Sequence, residues 1–462
     1  MNNRYNEIIP SDAIRVIKTL NNSGYEAYLV GGCVRDMLMG IEPHDWDICT
    51  NATPDETKRV MKEHKIYTFD SGIKHGTITA VINEENYEIT TYRSEADYSD
   101  GRHPDKVEFI LDIHEDLKRR DFTINAMAYN PLTDELIDDF NGNLDLQNKI
   151  IRAVGNASER FDEDSLRILR ALRFAIKYQF NIDEYTSLSM HRQRGLLVNI
   201  SKERITDEVR KMLTSGKPIK VHFMEYKDII GTIIPEIIPC FGFNQNNKYH
   251  KHDVYEHTLY VVDYCDTTKF EIKLAALLHD IGKPKAYVED NEGCGHFYGH
   301  PEISYEISQN ILRNDFRLST EQLERILELV KYHDMEVTST KASVKKALNK
   351  HGMDFMYDWF ILKRADMDDH IYPNKNCHYI IDISGINARI QQILDEQSCF
   401  SLKDLSVNGK DIMYSLGLKT GKQVGFILNT LLDEVINDNI TNEKEVLLSR
   451  AFEILGENNI HK

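Results

Sequence analysis

Near the start of this chain, residues suited to phosphoryl chemistry follow one another at short spacing. The run Tyr28-Leu29-Val30-Gly31-Gly32-Cys33-Val34-Arg35-Asp36 reads as an apolar strand, a glycine turn and a helix, and Asp45-Trp46-Asp47 comes a short turn later. Gly31 and Gly32 can take backbone angles closed to other residues, so their amides can approach a ligand and point, with the helix N-terminus, at phosphate oxygens. Asp45 and Asp47 are two apart, which on a strand turns both side chains the same way. Two hard oxygen ligands on one face suit Mg²⁺ held together with substrate phosphates. Such a set serves two-metal phosphoryl transfer, one ion activating an attacking hydroxyl and the other stabilising the leaving group. Alone, a Gly-Gly is usually a turn and an Asp-x-Asp usually solvated surface; their joint order and spacing argue for a site.

Further along, Tyr87 to Arg93 has the alternation and β-branched content of a strand, with Glu88, Thr90 and Tyr92 on one face. Glu88 reads equally as a third carboxylate near the metals or as a solvated strand residue. Arg119-Arg120-Asp121-Phe122-Thr123-Ile124-Asn125 offers adjacent cations for a triphosphate, or for a helix cap, while Asp121 and Asn125 can hydrogen-bond a ribose. Glu163-Asp164-Ser165-Leu166-Arg167 opens a helical stretch in which Asp164 and Arg167 share a face; alone they read as an intrahelical ion pair.

The order Gly-Gly-x-Val-Arg-Asp, Asp-x-Asp, Arg-Arg-Asp-x-x-x-Asn, Glu-Asp-x-x-Arg resembles the class II tRNA nucleotidyltransferase and bacterial poly(A) polymerase family, within the polymerase β superfamily. The resemblance implies that Asp45 and Asp47 are metal-binding catalytic carboxylates, joined by Glu88. It implies a nucleotide site of Gly31, Gly32, Arg35, Arg119, Arg120, Asp121, Asn125, Asp164, Arg167 and Arg170. Asp164 and Arg167 correspond to the pair that reads the incoming base, selecting CTP and ATP without a nucleic-acid template. A carboxylate accepts from the exocyclic amino group that C and A both carry, and a guanidinium donates to ring acceptors. Asp100-Gly101-Arg102-His103-Pro104 resembles the flexible loop that complete CCA-adding enzymes need for the final adenosine, which places Asp100 and Arg102 in that role; by composition it is a surface loop. A CC-only or A-only enzyme and a poly(A) polymerase are the neighbouring alternatives. No extended, strongly basic terminal segment of the poly(A) kind is found.

A second constellation follows the linker-like stretch Pro235 to Asn247: His252, His257, His279-Asp280, His300, His333-Asp334 and Asp366. His279-Asp280 closes the apolar helix Leu274 to Leu278 just before Gly282. This set looks like the HD phosphohydrolase superfamily. The resemblance implies His257, His279, Asp280 and Asp366 as core metal ligands and His300 and His333 as the added histidines of two-metal members. Imidazole with carboxylate suits Mn²⁺, Ni²⁺, Fe²⁺ or Mg²⁺. Lys283 offers itself to a phosphate or to the helix dipole. In tRNA nucleotidyltransferases such a domain implies hydrolysis of ends such as 2′,3′-cyclic phosphates. A different reading keeps the HD domain as a nucleotide hydrolase and the head as its nucleotide-binding regulator.

At 462 residues the chain exceeds a single domain. The expected organisation is an α+β, polymerase β-like head of small mixed sheet and helices (1–155), a helical neck (156–245), an HD domain (246–372) and a helical tRNA-binding tail (373–462). Ser165 to Phe180 carries an arginine stripe expected both to order the nucleotide site and to meet RNA phosphates. In the tail, Lys419 and Lys422 flank a Gly-rich turn that either grips tRNA or only joins two helices; its spacing is not that of a P-loop. Net charge is −18, with 74 acidic against 56 basic residues, so RNA must be held on local basic patches and released by salt. Seven cysteines lack Cys-x-x-Cys pairing, and neither a signal peptide nor a membrane-length apolar run is seen. The expectation is a cytoplasmic enzyme whose partners are tRNA, CTP and ATP, with no membrane.

Overall fold

The computed structural model describes residue 5 and residues 7–73, 76–96, 106–247, 250–369, 382–396 and 398–460. Two compact units divide the chain: Met1–Ile238 with Ile311–Arg317, and Pro239–Asn310 with Leu318–Lys462.

The first unit is built around short apolar strands. α1 (Ser11–Asn22) buries Ala13, Val16, Ile17 and Leu20, one helical stripe, and leads into β1 (Ala27–Val30). Then come α2 (Gly32–Leu38), β2 (Asp47–Thr50), α3 (Pro54–Glu63), β3 (Tyr67–Gly72), β4 (Thr77–Ile82) and β5 (Glu85–Thr91). α3 is launched by a capping box, Thr53 with Glu56, and Pro54. β6 (Arg93–Ala96) and β7 (Lys106–Phe109) pair as a ribbon; α4 (Ile113–Lys118), β8 (Ala128–Asn130), β9 (Glu135–Ile137) and α5 (Gly142–Asn148) complete the head. The sheet order is β3-β4-β5-β2-β1-β8-β9, antiparallel throughout except the parallel β2–β5 pair. That parallel pair sets Asp47 opposite Glu88 in register.

Two strand expectations need correcting. Only Asp47 lies on β2; Asp45 sits in the exposed bend before it. β5 ends at Thr91, and Tyr92 is fully buried beside Val30, Cys49 and Leu117 rather than facing outward with Glu88. The period-2 pattern breaks because Thr91 and Tyr92 both turn into the core.

After β10 (Ile150–Ile151) the neck begins with α6 (Ala157–Glu163) and α7 (Leu166–Tyr178). The expected continuous helix across Asp164 is interrupted: Asp164 caps α6 in extended conformation, so it and Arg167 do not share a helix face. β11 (Asn181–Ile182), α8 (Glu184–Gln193), α9 (Lys202–Leu213), α10 (Lys220–Glu225) and α11 (Lys227–Ile233) follow, with α7 packed on α9. The arginine stripe of α7 does not lie open for RNA. Arg167, Arg170 and Arg173 pair with Glu163, Asp121 and Glu208 respectively, because burial of this face demands a counter-charge for each cation.

The second unit is helical. α12 (Val254–Tyr264) packs on α13 (Phe270–Leu278), whose residues are buried all round. α14 (Lys283–Ala286) and the hairpin of β12 (Val288–Glu289) and β13 (Gly295–His296) lead to α15 (His300–Asn314), then α16 (Thr320–Tyr332), α17 (Lys341–His351) and α18 (Met353–Asp368). α13 packs on α16 and α18. The stretch read as a linker is not one throughout: Gln245 is buried, and its amide receives a hydrogen bond from Lys283 Nζ at 2.9 Å. α19 (Ile383–Asp395), α20 (Gly409–Leu416), α21 (Lys422–Ile436) and α22 (Lys444–Ile460) form the tail, with a core that includes Ile412, Ile427, Leu431, Leu447 and Ala451. Gly417 caps α20 in left-handed conformation, so the Gly-rich turn joins two helices. No helix among the described residues is long and apolar enough to cross a membrane.

Gly142 opens α5 against the turn that carries Asn125; a Cβ there would stand 2.2 Å from the Thr123 carbonyl oxygen. Gly142→Ala is expected to destabilise the head by about 1–3 kcal/mol, the usual cost of overpacking, read as a lower urea midpoint; an unchanged midpoint would show that the turn yields freely.

Candidate nucleotidyl-transfer and metal sites

In the head, β1 delivers the chain to Gly31, whose φ of 76° is left-handed. A Cβ at Gly31 would come within 3.0 Å of Arg120 Nη1, so glycine satisfies both the backbone angle and the close approach of the guanidinium. Arg120 faces Asp47 electrostatically, and its Nε is buried without a hydrogen-bond partner. Burial, then Glu88, raises the Asp47 carboxyl to about 6, against the pull of Arg120 and with Asp45 adding to the rise. Glu88 and Asp45 both disfavour the charged form of Asp47, a repulsion that a cation would relieve, so these oxygen donors suit a hard divalent ion in type.

Beneath this group runs a chain of hydrogen bonds. Arg35 Nη1 donates to Asn125 Oδ1 at 2.6 Å, Asn125 Nδ2 donates to Asp121 Oδ1 at 3.1 Å, and Arg170 Nε and Nη2 donate to Asp121 Oδ2 at 3.0 and 2.5 Å. Burial by itself would raise the Asp121 carboxyl; Arg170 and the Asn125 amide outweigh it and hold the group well below the usual carboxylate range. Arg35 also grips Asp36, which accepts from Tyr178 of α7.

Several expected residues are engaged differently from the sequence reading. Arg119 donates to Asp116 Oδ1 through Nε and Nη2, and Arg120 Nη2 to Asp116 Oδ2. Asp116, which sequence reasoning missed, is the buried carboxylate that sets both guanidiniums; its position on α4, three and four residues before them, was the available signal. Asp164 and Arg167 do not pair through their side chains. Asp164 Oδ2 accepts from Arg204 Nη2 at 2.7 Å and Oδ1 from the Leu166 N–H, while Arg167 donates to Glu163 and to the Arg119 carbonyl. Arg204 was also missed; no local pattern links residues forty apart. Asp100 and Arg102 lie outside the described residues.

In the second unit, all six predicted HD residues converge. His257 and His279 Nε2 lie 3.4 and 3.2 Å from Asp280 Oδ2, and 3.2 and 3.9 Å from Asp366 Oδ1. His300 and His333 Nε2 lie 3.3 and 3.7 Å from Asp280 Oδ1 and 3.1 Å from each other. Asp280 therefore faces two donor groups, one through each oxygen. Every Nδ1 is already committed: to the Ala276, Phe297 and Val330 carbonyls and to Asp369. A carbonyl only accepts, so Nδ1 carries the proton and the Nε2 lone pair points inward. The His257 and His279 Nε2 atoms are buried and turned toward Asp280 Oδ2, and burial, His279 and His300 push His333 down to about 3. Metal–ligand bonds of about 2.1 Å put neighbouring donors about 3 Å apart, so the spacing fits two divalent ions sharing Asp280. His252 stands outside this ring, beside Glu256 and Asp369. Lys283 Nζ lies 2.7 Å from Asp280 Oδ2, with Gln245 and His250 around it, and Lys363 joins Asp334 to Asp366. Asp369, Gln245 and Lys363 were not singled out from sequence.

A mixed sheet that sets three carboxylates beside a glycine turn, followed by a helical body holding a paired His/Asp cluster, defines a nucleotidyltransferase head joined to an HD domain. Comparison with known proteins agrees. Residues 27–152 match the poly A polymerase head domain, 179–240 the probable RNA and SrmB-binding site of polymerase A, 254–353 the HD domain and 316–451 the putative tRNA nucleotidyltransferase domain 2. The CCA-adding enzyme of Ligilactobacillus salivarius is 33% identical over 455 residues, 98% of this chain and 99% of that one. That of Streptococcus thermophilus is 31% identical over 453 residues, 96% and 97% of the two chains. The Bacillus stearothermophilus CCA-adding enzyme, solved in complex with CTP, superposes with a TM-score of 0.72 at 26% identity, covering 97% of this chain and 98% of its own. The chain belongs to the CCA-adding enzyme family: it is a nucleotidyltransferase acting in CCA addition to tRNA.

After equilibrium dialysis against Mn²⁺, elemental analysis of the full chain is expected to show one ion fewer in His333→Ala and two fewer in Asp280→Ala than in wild type. Equal losses in the two variants would rule out a shared bridging carboxylate.

Proposed function

We propose that this enzyme adds C, C and A in turn to tRNA 3′ ends from CTP and ATP, with no nucleic-acid template. The observation that carries this is the pairing of Asp47 with Glu88 across β2 and β5, with Arg120, seated against Gly31, and Asp45 acting on the same carboxylate. Asp45 and Asp47 would hold Mg²⁺, which activates the attacking hydroxyl and neutralises the leaving pyrophosphate. In the step, the tRNA 3′-oxygen bonds to the α-phosphorus, the α–β bridging bond breaks, pyrophosphate departs and the 3′-hydroxyl proton is lost to solvent. Arg120, against Gly31 and acting on Asp47, is proposed to meet the triphosphate, and the Arg35–Asn125–Asp121 chain to offer polar groups to the ribose. Asp164 and Arg167 read the base edge, each held by a partner other than the other, Arg204 and Glu163, so that acceptor and donor are oriented separately. The CTP bound by the Bacillus stearothermophilus relative supports the same substrate here. The setting is the cytoplasm, where tRNA and both triphosphates occur together.

The HD domain is proposed to hydrolyse phosphoester ends such as 2′,3′-cyclic phosphates, using Mn²⁺, Ni²⁺, Fe²⁺ or Mg²⁺. Water adds to phosphorus and one ester oxygen leaves with a proton. Inward-facing Nε2 atoms and Asp280 support this, with Lys283 placed to meet a phosphate oxygen. Cleavage of the P–O3′ bond frees the 3′-hydroxyl that the head uses and leaves a 2′-phosphate, which would link the two activities.

Purified enzyme given transcripts that end before CCA is expected to add all three nucleotides with CTP and ATP together, and two with CTP alone. Asp47→Ala is expected to lose more than about a hundredfold in rate, the scale of losing a charge-stabilising contact in phosphoryl transfer, while Asp280→Ala adds CCA normally to transcripts with free 3′-hydroxyls. Addition stopping at CC with both triphosphates present would mean a divided pathway.

A further inference from the structure

The segment from His296 to His300 joins the HD cluster to a surface that no step above uses. His296 and Tyr298 stack with ring centroids 5.3 Å apart and planes 8° from parallel, although Tyr298 is 74% exposed. An exposed tyrosine seldom holds one orientation without a cause. Here His296 is pinned: its Nε2 meets Asp290 Oδ2 at 2.9 Å, and Asp290 Oδ1 accepts from the Glu292 and Cys294 N–H groups of the hairpin turn. One face of the Tyr298 ring is thus fixed against His296 and the other is open.

Between the two lies Phe297, turned the opposite way. Its ring lies under Lys283 Nζ at 5.4 Å, and its carbonyl accepts from His300 Nδ1. Gly299, with φ of 70° and no atom near its missing Cβ, is there for the backbone turn. Two residues along a chain span at most about 7 Å between Cα atoms, so the backbone of Tyr298 stands beside that of His300, the donor that faces Asp280. A histidine that faces Asp280 and a rigid open ring are thus parts of one short segment, whose Phe297 carries Lys283 over its ring.

We infer that the stacked His296–Tyr298 pair is a base platform of the HD site: it takes the terminal nucleobase of the phosphoester whose phosphate sits at Asp280 and Lys283. The substrates are then nucleoside phosphoesters, an RNA 3′ end included, and not phosphoesters at large. Stacking needs only a π-face, so all four bases should be accepted with modest differences. This inference rests on the proposed phosphohydrolase activity of the HD domain.

The test compares Mn²⁺-supplied full-length enzyme on 2′,3′-cyclic AMP and on glycerol 1,2-cyclic phosphate, which keeps the five-membered phosphate ring and lacks the base. Tyr298→Ala is expected to raise KM about tenfold for the nucleotide, the order of one stacking contact, with kcat held and the glycerol substrate unaffected. Tyr298→Phe should behave as wild type. Equal changes on both substrates, or none on the nucleotide, would overturn the platform. If wild type cleaves neither compound, the hydrolase reading fails and the platform is judged by calorimetry with AMP against ribose 5-phosphate. One AMP-preferring site lost in Tyr298→Ala and kept in Asp47→Ala sustains it; no such loss overturns it.

Discussion

Asp121 is the constraint on which the first unit depends. Its carboxylate is buried, and such a charge persists only where fixed donors replace water. Arg170 from α7 and Asn125 from the turn after it supply those donors, and Asn125 passes the constraint to Arg35 on α2. This ionic junction, with the Tyr178–Asp36 and Arg167–Arg119 carbonyl contacts, ties the neck helix to the head. Asp116 repeats the principle one layer away, fixing Arg119 and Arg120 so that a guanidinium lies over Gly31.

The HD cluster solves the inverse problem. Here the fold uses carbonyls and Asp369 to take up every Nδ1–H and turns the Nε2 atoms inward, while Lys283 and Lys363 meet the Asp280 and Asp366 carboxylates. A donor set of this kind couples metal binding to local stability. Because Asp280 has one oxygen in each donor group, neither ion position is independent of the other.

The basic charge of the neck is spent inside the protein. The arginines of α7 that looked available for phosphates are neutralised internally, so they order the neck rather than attract RNA. Their acidic partners, Glu163, Asp121 and Glu208, cancel these three cations one for one, so the pairs add nothing to the −18 net charge.

Sequence alone determined the local parts: the strand–glycine–helix order, the strands that carry Asp47 and Glu88, the His279-Asp280 helix end and the six His and Asp residues that converge in the second unit. These are legible because backbone preference, short spacing and ligand chemistry are properties of neighbours. The kink at Asp164, the inward turn of Tyr92 and the burial of Gln245 were not, since each is set by packing against distant elements. Nor were the long-range partners: Arg204 for Asp164, Glu208 for Arg173 and Asp369 for His257 are joined only when helices far apart in the chain are brought side by side. What residues can do chemically is written in their identity; which of two charges a buried arginine answers is decided by tertiary structure, because desolvation makes the nearest well-oriented counter-charge the only acceptable one.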